Sequence, residues 1–434
     1  MEANPPLRRD ELTFRGNLRS TRHGWLRLTP AYSLKLVGEI LDAARPASGA
    51  VVLDPFCGTG TTALVCAERG IAADTTDINP FLVWLARAKS HGYSAAELRT
   101  FRRRADAVRG AVERGSPEQP WCPALHQIEK WWDGETLLAL GRAMAEIRRL
   151  GAGRPSAAGD LLQLAFCRTM IERANVSFAH QSMSFKRTAA GAAPARDRAL
   201  REPWQPKPSS PGPRADAAPA GREVARHWED AVAAMAEAAR SPIRKPPDVL
   251  LCDARELDRR LPSGRYSLVI TSPPYPNRMS YIRELRPYMY WLGYLRERRD
   301  AGELDWQAIG GTWGAATARV AKWSPACPEP VPYADFEPIL ARIGAHSVLL
   351  SRYVAKYFQD MAQHCRALAR VVRPGGSVHY IVGNSKFYDV LLPVEQIFAA
   401  LFQAAGFERA TVETVRKRTS KRELFEFLVS ARKP

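Results

Sequence analysis

The sequence predicts an α/β chain: a mostly parallel seven-stranded sheet that ends in an antiparallel hairpin and is interrupted by a large helical insertion. Three observations predict it. Short β-branched runs at Val51 to Asp54, Ala72 to Ile78 and Leu268 to Thr271 each stop at residues suited to ligand contact. Apolar stretches of helical period follow the first two, giving βα alternation. After Gly376 the chain reads strand, helix, strand, basic turn, strand.

The first strand, Val51-Val52-Leu53-Asp54, runs into Pro55-Phe56-Cys57-Gly58-Thr59-Gly60-Thr61-Thr62, and a helical pattern from Ala63 to Arg69 stops at Gly70. Gly58 and Gly60 let the backbone turn sharply and approach a ligand, while the helix start offers unpaired N–H groups. Roughly 20 residues on, as a nucleotide fingerprint requires, the second strand ends in Asp77. A carboxylate there suits both ribose hydroxyls of an adenosine-bearing cofactor. With Ala63 in third place the loop also fits G-x-G-x-x-A, so alone it does not separate a nicotinamide dinucleotide from other adenosine cofactors.

The stretch Leu268-Val269-Ile270-Thr271-Ser272-Pro273-Pro274-Tyr275 is a strand that stops at two prolines and a ring. Proline has no N–H and cannot continue a central strand, so carbonyls are left outward and unclaimed. Free acceptors beside the flat face of Tyr275 suit a planar heterocycle with an exocyclic amine. The plainer account of the same stretch is a proline turn after a buried strand.

Together, Asp-Pro-Phe-Cys-Gly-Thr-Gly at 54–60 and Thr-Ser-Pro-Pro-Tyr at 271–275 resemble the DNA amino-methyltransferases, in the order and at the strand ends that family uses. The resemblance covers about residues 20–90 and 245–434. It implies a Rossmann-like S-adenosylmethionine-dependent methyltransferase fold, no metal, and methyl transfer to an exocyclic amine of DNA, with the target base rotated out of the duplex. Carried over position by position, it implies cofactor contacts at Asp54, Phe56, Gly58, Thr59, Gly60, Asp77, Ile78, Asp253 and Ala254. It places Ser272, Pro273, Pro274 and Tyr275 at the reacting amine.

A serine at the first corner position resembles the cytosine-N4 enzymes more than the adenine-N6 enzymes, which usually carry aspartate. Some adenine enzymes also use serine, so adenine stays open. Carbon-5 cytosine chemistry needs a Pro-Cys thiol, and no cysteine here follows a proline. RNA guanine-amino enzymes share the glycine loop but show Asp-Pro-Pro-Tyr and an RNA-binding domain ahead of it, where this chain has about fifty residues before its first strand. A non-catalytic DNA-binding subunit of a restriction or defence complex is a further alternative, against which the intact motifs speak.

Along the chain, Leu34 to Ala44 predicts a helix started near Pro30 and Ser33; family likeness lays this element over the methionine end of the cofactor, with Tyr32-Ser33 where a Lys-Phe pair is expected. Phe81 to Lys89 is helical, with Trp84 expected in the core. Residues 95–246 form the insertion between catalytic segments 1–94 and 247–434, and include a helix at Asp160 to Ala174. Inside it, His180 to Arg187 interleaves polar, aromatic and basic residues, as a nucleic-acid contact or an ordinary surface loop would. Residues 189–221 are Ala, Pro, Arg and Ser, too poor in large apolar groups to offset ordering entropy, and read as a disordered loop. An insertion of this size is expected to carry target recognition, although the commonest arrangement places that after the third strand.

Asp248 to Ala254 is the third strand, Arg278 to Leu295 an aromatic and basic helix, Ser347 to Val372 a long helix, and Arg373-Pro374-Gly375-Gly376 a turn before the fifth strand, Ser377 to Asn384. Pro393 to Ala405 is a helix, and Arg409 to Arg418 with Leu424 to Ala431 form the terminal hairpin.

A net charge of +18 over 434 residues favours a polyanionic partner, since neutralising phosphates dominates nucleic-acid affinity. Seven cysteines without C-x-x-C spacing, and eight histidines in no paired motif with them, argue against a zinc site and suit a reducing compartment. No run nears the ~20 apolar residues that span a bilayer, and no signal core opens the chain, so a cytoplasmic protein is expected.

Overall fold

The computed structural model describes residues 14–17, 22–26, 28, 31–114, 120–151, 155–177, 184–186, 220–277, 279–312, 314–325, 330–418 and 423–434. They fall into two compact units, one from residues 1–92, 241–285 and 299–434, the other from 93–240 and 286–298.

The first unit is built on seven strands: β1 (Val51–Asp54), β2 (Ala72–Asp77), β3 (Asp248–Leu251), β4 (Tyr266–Thr271), β5 (Val372–Gly383), β6 (Glu408–Lys417) and β7 (Phe425–Arg432). Their order across the sheet is β6-β7-β5-β4-β1-β2-β3. The five strands from β5 to β3 are parallel, and β7 pairs antiparallel with both β5 and β6. This is the mostly parallel sheet with a terminal hairpin that the sequence predicts. From β1 the chain winds outward through β2 and β3, then returns to β4 on the other side of β1. Ligand crevices of open parallel sheets form at such a reversal, outside the carboxyl ends of the strands.

Residues alternate across the sheet, as strand geometry demands. Val52, Leu268, Ile270 and Ile381 pack on one face with α1 (Leu34–Ala44) and α2 (Thr61–Arg69). Leu53, Val269, Tyr380 and Val382 face the other layer. That layer includes the long helix Val348–Val371 and the helix Val394–Ala404. Burial on both faces explains why the central strands read as apolar runs. The Ser33 hydroxyl caps α1, accepting from Lys35 and Leu36, and Asn79 caps α3 (Pro80–Ser90), whose first residue is proline. Trp84, expected in the core, is half-buried beside Phe81.

Three expectations are corrected. Residues 373–376 are a bulge inside β5, not a turn ahead of it: Tyr266 pairs with Val372 but Leu268 with Ser377. The bulge holds because Gly375 N donates to Lys433 O and Lys433 N to Gly376 O, which gives the extra residues partners outside the ladder. The third strand stops at Leu251, because the Asp253 carboxylate caps a one-turn helix at Ala254–Glu256. Of the segment 189–221, residues up to 219 lie outside the described residues, and Ala220 and Gly221 begin a helix that runs to Ala238. The segment His180 to Arg187 is described only at 184–186.

The second unit is helical, with helices Ala95–Arg114, Gly134–Leu150, Ala157–Glu172 and Ala220–Ala238 around Phe101, Leu140, Leu161, Phe166, Trp228 and Met235. Residues 286–298, assigned from the sequence to the catalytic segment 247–434, are grouped with this unit, where Trp291 meets Trp121, Trp132 and Phe166 edge-on. No helix among the described residues is long and apolar enough to cross a membrane.

Candidate active site

At the carboxyl ends of β1 to β4 the half-buried residues are Phe56, Gly58, Asp77, Ile78, Asp253, Ser272, Pro274 and Tyr275, while Asp54, Thr59, Gly60, Ala254 and Pro273 lie beneath them, buried. The two motifs meet at adjacent strands. Asp54 is 1% exposed and accepts through Oδ1 from Thr271 Oγ1 at 2.6 Å and from Phe56 N at 3.1 Å. Its Oδ2 accepts from the Tyr32 hydroxyl at 2.9 Å. Burial pushes its carboxyl up to about 6, against the pull of those donors.

The glycine loop is cradle-shaped. Gly58 and Gly60 have φ of 52° and 78°, in the left-handed region, and a Cβ on Gly60 would stand 3.1 Å from Ala86 Cβ. Gly60 starts α2 with no side-chain cap, so the first N–H groups of that helix remain available to an electron-rich ligand. Asp77 closes the loop from β2: Oδ2 accepts from Gly58 N at 3.0 Å and Oδ1 from Asn79 N at 2.9 Å. Desolvation raises its carboxyl to about 6. These residues fit an adenosine-bearing cofactor with its ribose at Asp77.

At β3 the Asp253 carboxylate is bound by Arg255, whose Nη2 lies 2.6 Å from Oδ2 and whose Nη1 reaches Asp360 at 3.0 Å. The Ala254 carbonyl accepts from His364 Nδ1 at 2.8 Å, and the Tyr380 hydroxyl lies 2.6 Å from His364 Nε2. An acceptor at Nδ1 puts the ring proton there, so Nε2 accepts from Tyr380 in a neutral imidazole; burial lowers its pKa to about 4. Phe56 meets the same imidazole edge-on at 4.8 Å.

At the corner after β4 the Ser272 hydroxyl has one proton and donates it to the Ile381 carbonyl at 2.9 Å, leaving lone pairs as what it can offer elsewhere. Among the described residues no donor reaches the Pro273 carbonyl, whereas the Pro274 carbonyl accepts from Tyr357 at 2.7 Å. Tyr275 is fixed at both ends. Its N–H donates to the Tyr281 hydroxyl at 3.3 Å, and its own hydroxyl donates to Glu426 Oε1 at 3.0 Å. Glu426 is in turn held by Arg416 Nε at 2.7 Å. Burial, with the Glu426 charge beside it, raises the phenol well above its ordinary range.

Sequence reasoning missed Tyr357, His364, Gly383, Arg416, Arg418 and Glu426, all of which touch a predicted site residue or one of its partners; Tyr32, placed near the cofactor, reaches Asp54. The basic, strand-forming character of the hairpin hinted at Arg416, Arg418 and Glu426 alone.

No family model matches the chain. The type II methyltransferase M.AvaI of Nostoc sp. (strain PCC 7120 / SAG 25.82 / UTEX 2576) is 30% identical over 80 residues, which is 18% of this chain and 17% of its own length. M.BsoBI of Geobacillus stearothermophilus, also named a type II methyltransferase, is 30% identical over 80 residues, 18% of this chain and 16% of its own. Over that stretch the chain is related to type II methyltransferases. It spans under a fifth of the length of these relatives. The resemblance to DNA methyltransferases carried by the two motifs is borne out at that level.

Among solved structures, a putative DNA modification methylase from Thermus thermophilus is 17% identical with a TM-score of 0.22, over 42% of this chain and 52% of its own. The rRNA methyltransferase aviRa from Streptomyces viridochromogenes is 12% identical with a TM-score of 0.29, over 97% and 96%. At these scores neither likeness bears on function.

Proposed function

We propose that this chain is a site-specific DNA methyltransferase of restriction–modification or phage defence that methylates the exocyclic N4 amine of cytosine. The observation that carries transfer to an exocyclic amine is the pair of acceptors at the corner: Ser272 Oγ, its proton given to Ile381 O, and the Pro273 carbonyl, without a donor among the described residues; cytosine is favoured by the serine at 272, where the adenine-N6 enzymes usually carry aspartate. Bound in the cradle of Gly58, Gly60 and Asp77, S-adenosylmethionine would supply an activated methyl on a positive sulfur. Asp77 would accept from its ribose, and Phe56, Ile78 and Ala254 would flank its adenine.

The chain's own task is positioning. An amine whose N–H groups point at Ser272 Oγ and Pro273 O has its nitrogen lone pair drawn out of ring conjugation and aimed in line. Near-attack alignment of this sort supplies about 7–11 kcal/mol, more than one general base usually contributes. Tyr275, clamped by Glu426 and Tyr281, offers a ring that cannot swing away, against which a rotated base can stack. The helical unit, 93–240, is the part of the chain left to read the target sequence.

The same acceptors suit adenine N6, so an adenine-amino enzyme is the second reading; an RNA guanine-amino enzyme or a non-catalytic DNA-binding subunit comes behind it. Mass spectrometry of nucleosides from treated DNA tests the proposal. N4-methylcytosine is expected. Methyladenine alone would move the enzyme to the second reading, and no product with bound cofactor would overturn transfer itself.

A further inference from the structure

The corner tyrosine is organised from the far edge of the sheet. The Arg418 guanidinium, one residue beyond β6, lies 5.0 Å from the centroid of the Tyr275 ring, and its Nη1 donates to the Asn384 carbonyl at 3.0 Å. Gly383, the last residue of β5, makes this meeting possible. A Cβ there would stand 2.6 Å from Arg418 Nη1 and 2.9 Å from Tyr275 Cε2. Arg418 is half-buried, and among the described residues its other N–H groups have no acceptor. A planar cation with unused donors thus stands over the ring at a corner that otherwise offers only acceptors.

An exocyclic amine on a nucleobase never comes alone. On the Watson–Crick edge N4 of cytosine is followed by two acceptors, the ring nitrogen N3 and then the carbonyl O2; on the same edge of adenine N6 is followed by one, N1, and then a C–H, while N7 lies on the opposite side of the amine. A surface that binds the amine through acceptors is complementary to the whole edge only if a donor stands next to them.

We propose that Arg418 contacts the rotated base and selects cytosine, its guanidinium donating as a fork to N3 and O2 while Ser272 and Pro273 take the amine. This rests on the reading of the corner as a base-amine site. Against adenine the same fork leaves one N–H facing a C–H in a half-buried site, and an unpaired polar group discriminates more strongly than a lost contact. Lysine in its place keeps a cation over Tyr275 but lacks the planar pair of donors.

The test uses the full chain, its Arg418→Lys and Arg418→Ala variants, and DNA amplified in vitro so that it carries no methylation. N4-methylcytosine and N6-methyladenine are counted by mass spectrometry, S-adenosylmethionine affinity is measured by calorimetry, and melting temperature is recorded. Both variants are expected to keep cofactor affinity within about twofold while cytosine turnover at saturating DNA falls about 10- to 100-fold, the loss typical of a two-donor base contact. Arg418→Lys should melt with the wild type. Wild-type turnover by the lysine variant would overturn the assignment, since a structural cation would be rescued by it. So would an alanine variant whose cofactor affinity falls in step with its turnover. If the wild type itself makes no methylcytosine, the reading of the corner fails and this assignment with it. Methylcytosine from the wild type and undiminished methylcytosine from Arg418→Ala defeat the assignment alone.

Discussion

Tyr32 donates to Asp54 at 2.9 Å, tying the residue ahead of α1 to the end of β1. Thr62, on the first turn of α2, lies 2.5 Å from the same phenol oxygen. One buried carboxylate therefore joins the N-terminal element, the glycine-loop helix and, through Thr271, the strand that carries Ser272. Tyr32→Phe deletes one O–H and leaves a buried acidic oxygen short of a donor. A lost bond to a charged group costs about 1.5–3 kcal/mol, so urea denaturation should show a fall of that size. A loss below about 0.5 kcal/mol, the level of ordinary surface changes, would mean that Thr271 and the Phe56 amide satisfy Asp54 unaided.

The strand ends were legible because period and punctuation agree there: Asp54 and Thr271 each close an apolar run, Asp77 closes a threonine pair, and each closes a strand. The bulge at 373–376 was not legible, because Pro-Gly-Gly looks the same in a turn and in a strand whose extra residues find partners in Lys433, about sixty residues away. Arg418, Glu426 and His364 escaped for a related reason. Arg418 and Glu426 reach the site from the terminal hairpin and His364 from the long helix packed on the sheet, each at a separation in sequence that carries no periodic signal.

Asp77 should give cofactor binding an acid limb. Its carboxyl is held near 6 by desolvation, and only the ionised form keeps four lone-pair sites for Gly58, Asn79 and two ribose hydroxyls. Calorimetric affinity for S-adenosylmethionine should fall as pH drops from about 7 to 5. Asp77→Ala should weaken binding by at least about tenfold at pH 7, the scale of a lost charge-assisted bond. Unchanged affinity in that variant would remove the ribose from this carboxylate.

Ser272→Ala and Tyr275→Ala should abolish transfer while leaving cofactor affinity intact. Neither side chain bonds a residue of the glycine loop: Ser272 is joined to Ile381 and Tyr275 to Glu426. A kcat lost at constant cofactor affinity is the signature of lost substrate positioning. If either variant loses cofactor affinity as well, the corner and the cradle are one structural unit and do not divide substrate positioning from cofactor binding.

The pH dependence of stability should be unmasked by one substitution at His364. Asp54 and Asp77 are raised from 3.8 to about 6, so each contributes stability that is complete below 3.8 and lost as pH rises through 6. His364 and His379 are lowered from 6.5 to about 4, so each contributes stability that is present above 6.5 and lost as pH falls through 4. Between pH 4 and 6 the two pairs oppose each other, two protons taken up on folding against two released, and together leave stability near level. His364→Gln removes one releasing group while its amide can still donate to the Ala254 carbonyl and accept from Tyr380. The net of one proton then makes stability fall with rising pH, by about 1.4 kcal/mol per unit at the steepest. Urea midpoints for the wild type and the variant at pH 4.5, 5.5 and 6.5 check it. A difference between the two that stays constant across those points would show that His364 is not held neutral in the fold.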